Sequence, residues 1–469
     1  MTDTEIALKI ESYMPFKPTS DQADLFGIVG QFILHSKRGD VLIISGYAGT
    51  GKTTVISILS KLLKDVGIKS VMIAPTGRAA KVMSQYSNTK AYTIHKKIYR
   101  QKSALVDAFV IDINKDNLTY YIVDEASMIN DSSYDSIFGS GNLLADMVEY
   151  INGGKNCRLI VVGDKGQLPP VGRAESPALD PSVMEYYSQN LYTANLTTVV
   201  RQKDGSAILE NATIVRSLIE QGFEDFPRLR IASPEFKSIQ GGEFFDEIED
   251  AYARFGKEET IVITRSNKQA TRANSAIRNR VLYMEEEISS GDLLMVVKNN
   301  YSIVNEDDEI GFIANGDVAK IKRLRRYEEL FDMRFVEATL LFSDYDDTEL
   351  ECKMMLDTLY SDTPSLSSEK SKALFFEVEK DYSDITDKRK RYQAIKEDKY
   401  FNALQVKFAY AITCHKAQGG QWDCVFIDRL IFGDETMTID MLRWLYTAIT
   451  RAKKRVVLIN FDERFFDQI

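Results

Sequence analysis

The stretch SGYAGTGKTT at 45–54 contains Gly46-x4-Gly51-Lys52-Thr53, residue types and spacing suited to cradling a triphosphate. Its glycines let successive backbone N–H groups face phosphate oxygens. Lys52 supplies a point charge to the β- and γ-phosphates, and the Thr53 hydroxyl can ligand Mg²⁺. The expected nucleotide cradle therefore runs Gly46, Tyr47, Ala48, Gly49, Thr50, Gly51, Lys52, Thr53 and Thr54. A second group is the acid pair Asp124-Glu125, placed where a metal ligand and a base for an attacking water would sit. An acid pair alone is more often a helix N-terminal charge pair; the phosphate loop reverses that preference. Thr19-x-x-Gln22 has two readings, a capping box or a glutamine amide that reads the adenine edge, and the residues leave them even.

Elements must position these groups. Short continuous apolar runs at Val41–Ser45, Val71–Pro75, Tyr120–Asp124 and Leu159–Asp164 predict strands buried on both faces, with helices between most of them. The phosphate loop thus follows a strand and opens a helix over Lys52–Lys64, with Gly67 as its stop. Thr260–Thr264, Val425–Asp428 and Arg455–Asn460 repeat the pattern, so two α/β sheets in tandem are expected. Between Asn300 and Tyr400 the texture changes. Phe312–Leu324 and Arg334–Phe342 alternate like small antiparallel strands, Ser343–Glu349 and Ser361–Lys372 are charged and turn-rich, and Asp387–Lys396 reads as a charged helix.

The 469 residues are too many for one core and suggest about three domains. No run of about eighteen apolar residues occurs, which excludes a spanning helix. The first twenty residues carry acids and no apolar core of a secretory signal. Cys157, Cys352, Cys414 and Cys424 lie far apart, as reduced thiols of a cytoplasmic protein do. A net charge of −10 confines any nucleic-acid contact to a local basic or dipole-lined track.

In chain order come GYAGTGKTT, APTGRAAKVM (Ala74–Met83), YTIHKKI (Tyr92–Ile98), VDEASM (Val123–Met128) and GDKGQLPPVGRA (Gly163–Ala174). LTTVVRQ (Leu196–Gln202), TRSNKQATRAN (Thr264–Asn274), AITCHKAQGGQ (Ala411–Gln421) and YTAITRAKKR (Tyr446–Arg455) follow. From about Thr19 to Asn460 this series resembles the superfamily 1B DNA helicases of the RecD-like and phage Dda-like group. The resemblance implies an α/β fold of two tandem RecA-like P-loop domains with parallel sheets, plus a small SH3-like β insertion in the second. The first domain would cover 1–195, with a hairpin insertion at about 100–118 and a turn at Asn114–Asn117. The second would combine 196–280 and 402–469 around an insertion at 281–401.

The resemblance further implies ATP and Mg²⁺ as cofactors, Thr53 and Asp124 on the metal, and Glu125 polarising water. Arg201 and Arg451 would sense the γ-phosphate from across the cleft, Gln167 would link it to DNA, and Gly419 would lie at the nucleotide. Pro75, Thr76, Thr93 and His95 from the first domain would meet single-stranded DNA, with Thr264, Asn267, Thr413 and His415 from the second. Phe109, in the hairpin, could stack on a base or pack on the neighbouring domain. Where relatives show Ser-Gln-Gly-Ser-Glu, this chain has Ala417-Gln418-Gly419-Gly420-Gln421. The expectation is a monomeric, cytoplasmic motor of bacterial or phage origin, moving 5′→3′ on single strands and at single-strand/duplex junctions, with no membrane partner. A translocase that displaces proteins without unwinding, an RNA helicase, and protein binding through the insertion are carried beside it.

Overall fold

The computed structural model describes residues 2–103, 106–132, 138–200, 205–300, 302–304, 313–345, 347–429 and 437–467. The first domain contributes β1 (Val41–Gly46), β2 (Lys69–Ala74), β3 (Ala91–Thr93), β4 (Tyr99–Ser103), β5 (Val106–Ile111), β6 (Thr119–Val123), β7 (Arg158–Gly163) and β8 (Leu191–Leu196). Six of these form one parallel sheet in the order β3-β2-β6-β7-β1-β8, with Ile43 of β1 between Val161 and Thr193. Strands β1, β6 and β7 are buried along their whole length, as their unbroken apolar runs require. Helices Ser20–His35 and Lys52–Asp65 cover one face through Phe26, Phe32, Ile56 and Leu59.

The second domain contributes β9 (Phe236–Ile239) and β10 (Thr260–Thr264), then the barrel strands β11 (Leu293–Val296), β12 (Val318–Leu330), β13 (Met333–Phe342), β14 (Thr348–Met355) and β15 (Leu404–Phe408). It resumes with β16 (Ala411–Thr413), β17 (Trp422–Asp428) and β18 (Ala452–Ile459). Its sheet is parallel in the order β16-β10-β17-β18-β9, and β11 to β15 close a barrel. Only Ala409 and Tyr410 separate the closing barrel strand from β16. The junction is pinned by the fully buried Arg278, whose Nε and Nη2 each donate to Asp292 at 2.9 Å while the Tyr410 hydroxyl donates to the same carboxylate at 2.9 Å. Helices Ser368–Asp381 and Lys388–Glu397 pack on the barrel's outside through Leu374, Val378 and Ile395 against Met333, Phe335 and Met355.

Several expectations need correction. The closing strand β15 lies beyond 401, and Ser361–Lys372 contains the first turn of a helix rather than turns alone. The tetrad Asn114–Asn117 does not turn the hairpin: β4 and β5 pair Tyr99 with Ile111 and Ser103 with Val106, and the residues between them lie outside those described. Asn114 is buried instead, donating to the Tyr150 carbonyl at 3.1 Å and accepting from the Asp116 amide at 2.9 Å, which fixes the return into β6. An Asx turn satisfies local turn chemistry equally well in a connecting loop. No helix among the described residues is long and apolar enough to cross a membrane.

Candidate functional site

The carboxyl ends of parallel strands are where open α/β sheets bind ligands, and every chemistry-bearing motif of the first domain leaves its strand there. β1 leads into the phosphate loop, β6 into Asp124-Glu125 and β7 into Asp164. Gly51 caps helix Lys52–Asp65 at φ +91°, and a Cβ on it would stand 2.8 Å from Gln22 Nε2. Gln22 is fully buried. Its Oε1 accepts the Thr19 amide at 3.1 Å and its Nε2 donates to the Thr50 carbonyl at 3.1 Å. The capping box is therefore present, and the amide also buttresses the loop from behind. Gln22 therefore stands directly behind the phosphate loop with no exposed surface of its own.

Lys52 Nζ donates to the carbonyls of Gly46 and Tyr47 at 2.7 and 2.9 Å and stands 3.6 Å from Asp164. Thr50 is buried with its hydroxyl on the Tyr47 carbonyl at 2.9 Å, whereas Thr53 is exposed and Thr54 half-buried at the start of the helix. The Tyr47 ring lies under the Arg216 guanidinium at 4.6 Å, so the loop touches helix Ala207–Gln221 beyond Gly49.

Asp124 accepts from the Tyr86 phenol and from the Glu125 amide, the latter at 2.8 Å. Glu125 adopts a left-handed conformation (φ 51°, ψ 37°) and stands 3.8 Å from Arg451 Nη1 of the second domain. Loss of water raises both carboxyls above their ordinary range; Arg451 opposes this for Glu125, and the neighbouring Asp124 adds to it. The donor set is oxygen only, the exposed Thr53 hydroxyl and an Asp124 carboxylate oriented by two donors, which suits a hard divalent cation such as Mg²⁺. Among the described residues no cluster of three or more His, Cys, Asp or Glu side chains offers another metal site.

The sequence reading passed over the residues that close this site. Tyr446, fully buried on helix Ile439–Ile449, donates to Asp164 at 2.8 Å and accepts the Ala48 amide at 2.8 Å. One phenol thus joins the phosphate loop, the carboxylate after β7 and the second domain. Leu168 is held at both ends of its backbone: its N–H donates to Thr447 Oγ1 at 2.9 Å and its carbonyl accepts from Gln418 Nε2 at 2.9 Å. Gln167 is buried beside it, and its Oε1 has no hydrogen-bond partner among the described residues. An orphaned acceptor there fits a water or ligand donor in the cleft.

Arg451 Nη1 also donates to the Gly420 carbonyl at 3.4 Å, next to Gly419. Gly419, at φ +75°, lies against the turn after β2. A Cβ on it would stand 2.9 Å from that of Ala79, so it packs the second domain on helix Gly77–Ser87. Arg201 lies outside the described residues.

The proposed strand contacts fall at matching places in the two sheets. Thr76 and Thr93 follow or end β2 and β3, at one edge of the first sheet; Thr264 and Thr413 end β10 and β16, at one edge of the second. Thr76 and Thr93 cap helices by accepting the Ala79 and Lys96 amides at 3.2 and 3.1 Å, and Thr413 precedes the turn Cys414–Ala417. Pro75 is half-buried beside Thr76, and Asn267 opens helix Asn267–Arg280. Helix N-termini at these ends present partial positive charge to a phosphate backbone.

Phe109 stacks on Phe138 at 4.5 Å, and His95 meets the same ring at 4.9 Å. Phe109, half-buried on β5, thus packs within the first domain. Burial lowers the His95 imidazole to about 4 and also lowers His415. Burial thus disfavours a positive charge on either ring. His415 lines a cleft of about 240 Å³ with Pro169, Pro170, Arg265 and Trp444.

Residues 29–218 match the model of an AAA domain and residues 408–459 that of a UvrD-like helicase C-terminal domain. The sequence is 24% identical to an uncharacterized protein of Methanocaldococcus jannaschii over 92% of this chain, and spans 37% of that protein's length. It is 24% identical to the ATP-dependent DNA helicase dda of Enterobacteria phage T4, over 70% of this chain and 72% of the phage protein. Among solved structures, a Pif1 helicase at forked duplex DNA is similar with 14% identity and a TM-score of 0.48, over 97% of this chain and 95% of that one.

Proposed function

Since the chain belongs to the superfamily 1B helicases, we propose that it is an ATP-dependent motor that moves 5′→3′ on single-stranded DNA and separates duplex strands ahead of it. The observation that carries this reading is the double grip on Leu168. A residue next to the nucleotide cleft has both backbone hydrogen-bonding groups held by the opposite domain, so its displacement is a displacement of that domain.

In the proposed cycle Lys52 leaves the loop carbonyls for the β- and γ-phosphates. Thr53 and Asp124 would hold Mg²⁺, which would supply charge neutralisation on the phosphate oxygens. Glu125 takes the proton of a water as the water oxygen bonds to the γ-phosphorus and the bond to the β,γ-bridging oxygen breaks, with the electron pair leaving on ADP. Arg451, already beside Glu125, swings to the γ-phosphoryl oxygens, and Arg201 joins it. Loss of the γ-phosphate frees both arginines, and the strand-end threonines of the two sheets separate.

ATPase measured alone, with single-stranded DNA and with RNA tests the motor; no stimulation by either polymer would sink it. Duplexes carrying one 5′ or one 3′ tail test direction. Strand separation from the 3′ tail alone would overturn the polarity and keep the motor. ATP hydrolysis along the strand with no separation from either tail would reduce it to a translocase.

A further inference from the structure

At the end of the first sheet away from the nucleotide cleft, the loops entering three adjacent strands enclose an open groove of about 620 Å³. Lys37 and Arg38 precede β1, Asn152 and Asn156 precede β7, and Tyr186 and Gln189 precede β8. These loops are tied to one another. The Gln189 amide donates to the Gly39 carbonyl at 2.8 Å, and the Arg38 guanidinium donates to the Asn152 carbonyl. Gly39 holds its turn at φ +89°, where a Cβ would come within 3.1 Å of Gln189 Cγ. Backbone contacts thus shape the groove before anything enters it.

Its charge is unlike that of the chain. The molecule carries a net charge of −10, yet no carboxylate lines this groove. Lys37 and Arg38 make no ion pair among the described residues, and neither does Arg158, buried at the start of β7. The Arg158 guanidinium donates instead to the hydroxyl and carbonyl of Ser36 at 2.9 and 2.6 Å, directly before Lys37. Against these three cations the same loop sets one acid, Asp40. It is buried and already accepts the Lys37 amide at 2.8 Å and Asn190 Nδ2 at 2.9 Å. The surplus positive charge favours an anionic occupant. Tyr186 is 86% exposed, its ring edge-on to Tyr187 at 5.2 Å, and tyrosine and arginine are the residues that protein interfaces concentrate. The amides of Asn152, Asn156 and Gln189 can give to peptide carbonyls and take from peptide N–H groups, whereas a phosphodiester backbone has no N–H to offer.

We propose that this groove binds an acidic peptide segment of a partner protein. Its Asp or Glu side chains meet Lys37 and Arg38, its backbone pairs with the side-chain amides, and an apolar side chain rests on Tyr186. ATP and the proposed DNA track lie at the opposite ends of the strands, so the partner stays bound while the motor steps.

Random peptides displayed on phage test this, selected on the full chain and depleted on Lys37→Glu/Arg38→Glu. Selection should enrich acidic sequences. A labelled enriched peptide, followed by fluorescence polarisation, should bind about tenfold more weakly to Lys37→Ala/Arg38→Ala and to Tyr186→Ala. Oligonucleotide affinity should stay at the parent value in each. Enriched peptides without acids, or none that tells the parent from the charge-reversed variant, overturn the proposal. So does an oligo(dT) that displaces the peptide and binds the alanine variants more weakly, since the groove would then be a nucleic-acid contact. Thermal unfolding is the folding control, and its midpoint should match the parent because the replaced side chains are exposed. Should a variant unfold early, the unaltered protein decides. The enriched peptide with Asn and Gln in place of its Asp and Glu should bind about tenfold more weakly, and undiminished binding overturns the acidic partner.

Discussion

Tyr446 shows how much one hydroxyl can couple. Tyr446→Phe keeps the ring's packing and deletes both the hydrogen bond to Asp164 and the one from Ala48. Asp164 keeps the Gly166 amide at 2.9 Å, but a hydrogen bond to a buried charged group is worth about 1.5–3 kcal/mol, so the urea midpoint should fall with an unchanged slope. Stimulation of the ATPase by DNA should fall about tenfold, equivalent to about 1.4 kcal/mol of coupling. Equal stimulation in mutant and parent would show that the phenol is packing only. Glu125 makes a different prediction. A base must be ionised, and desolvation raises this carboxyl, so hydrolysis is present above the raised value and lost as pH falls through it. The acid limb of the rate profile should lie above the ordinary carboxylate range and vanish, with most of the rate, in Glu125→Gln. A limb at the value of an exposed glutamate would remove Glu125 from the role of base.

At the scale of elements, helix Gly77–Ser87 joins the first sheet to the barrel. Lys81 donates to the Ser343 carbonyl at 3.2 Å, and a Cβ on Gly77 would stand 2.7 Å from Asp317 Oδ1 and 2.8 Å from the Ala314 Cβ. Gly77→Ala should push the barrel from the helix and reduce strand separation severalfold, with the DNA-free ATPase retained; unimpaired separation would show that this contact is idle. The parallel strands were legible because burial on both faces leaves unbroken apolar runs, as in Val41–Ser45 and Thr260–Thr264. The barrel's end was not, because the alternating strand Leu404–Phe408 runs through Ala409 and Tyr410 into Ala411–Thr413 with no glycine, proline or turn residue to mark the change of sheet. The phosphate loop and acid pair were legible from chemistry and spacing alone. Tyr446 was hidden, since helix Ile439–Ile449 is buried from Leu442 to Ile449 and its tyrosine reads as core. The reach of Gln418 to Leu168 is a long-range contact that no local pattern encodes.

For the whole molecule, a net charge of −10 and helix-capping threonines at the strand edges suit the proposed motor to a lightly held track. Oligonucleotide affinity should therefore fall with salt as for a few phosphate contacts, and a slope steeper than about −4 would contradict such a track. At its closing end the barrel is joined to the second sheet by Ala409 and Tyr410, and Tyr410 is anchored to Asp292 by its hydroxyl and to the Val262 amide by its carbonyl at 3.0 Å. In mechanical terms this joint is a short tendon and not a slack tether. Tension from a duplex pulling on the barrel is delivered within a few residues to Thr413, with little chain to stretch on the way. Two glycines inserted between Ala409 and Tyr410 should leave stepping on bare single strands intact while strand separation stalls at lower opposing force in an optical trap. An unchanged stall force would mean that the load travels by another route. Stiffness at one joint would then set how large an obstacle each ATP can move.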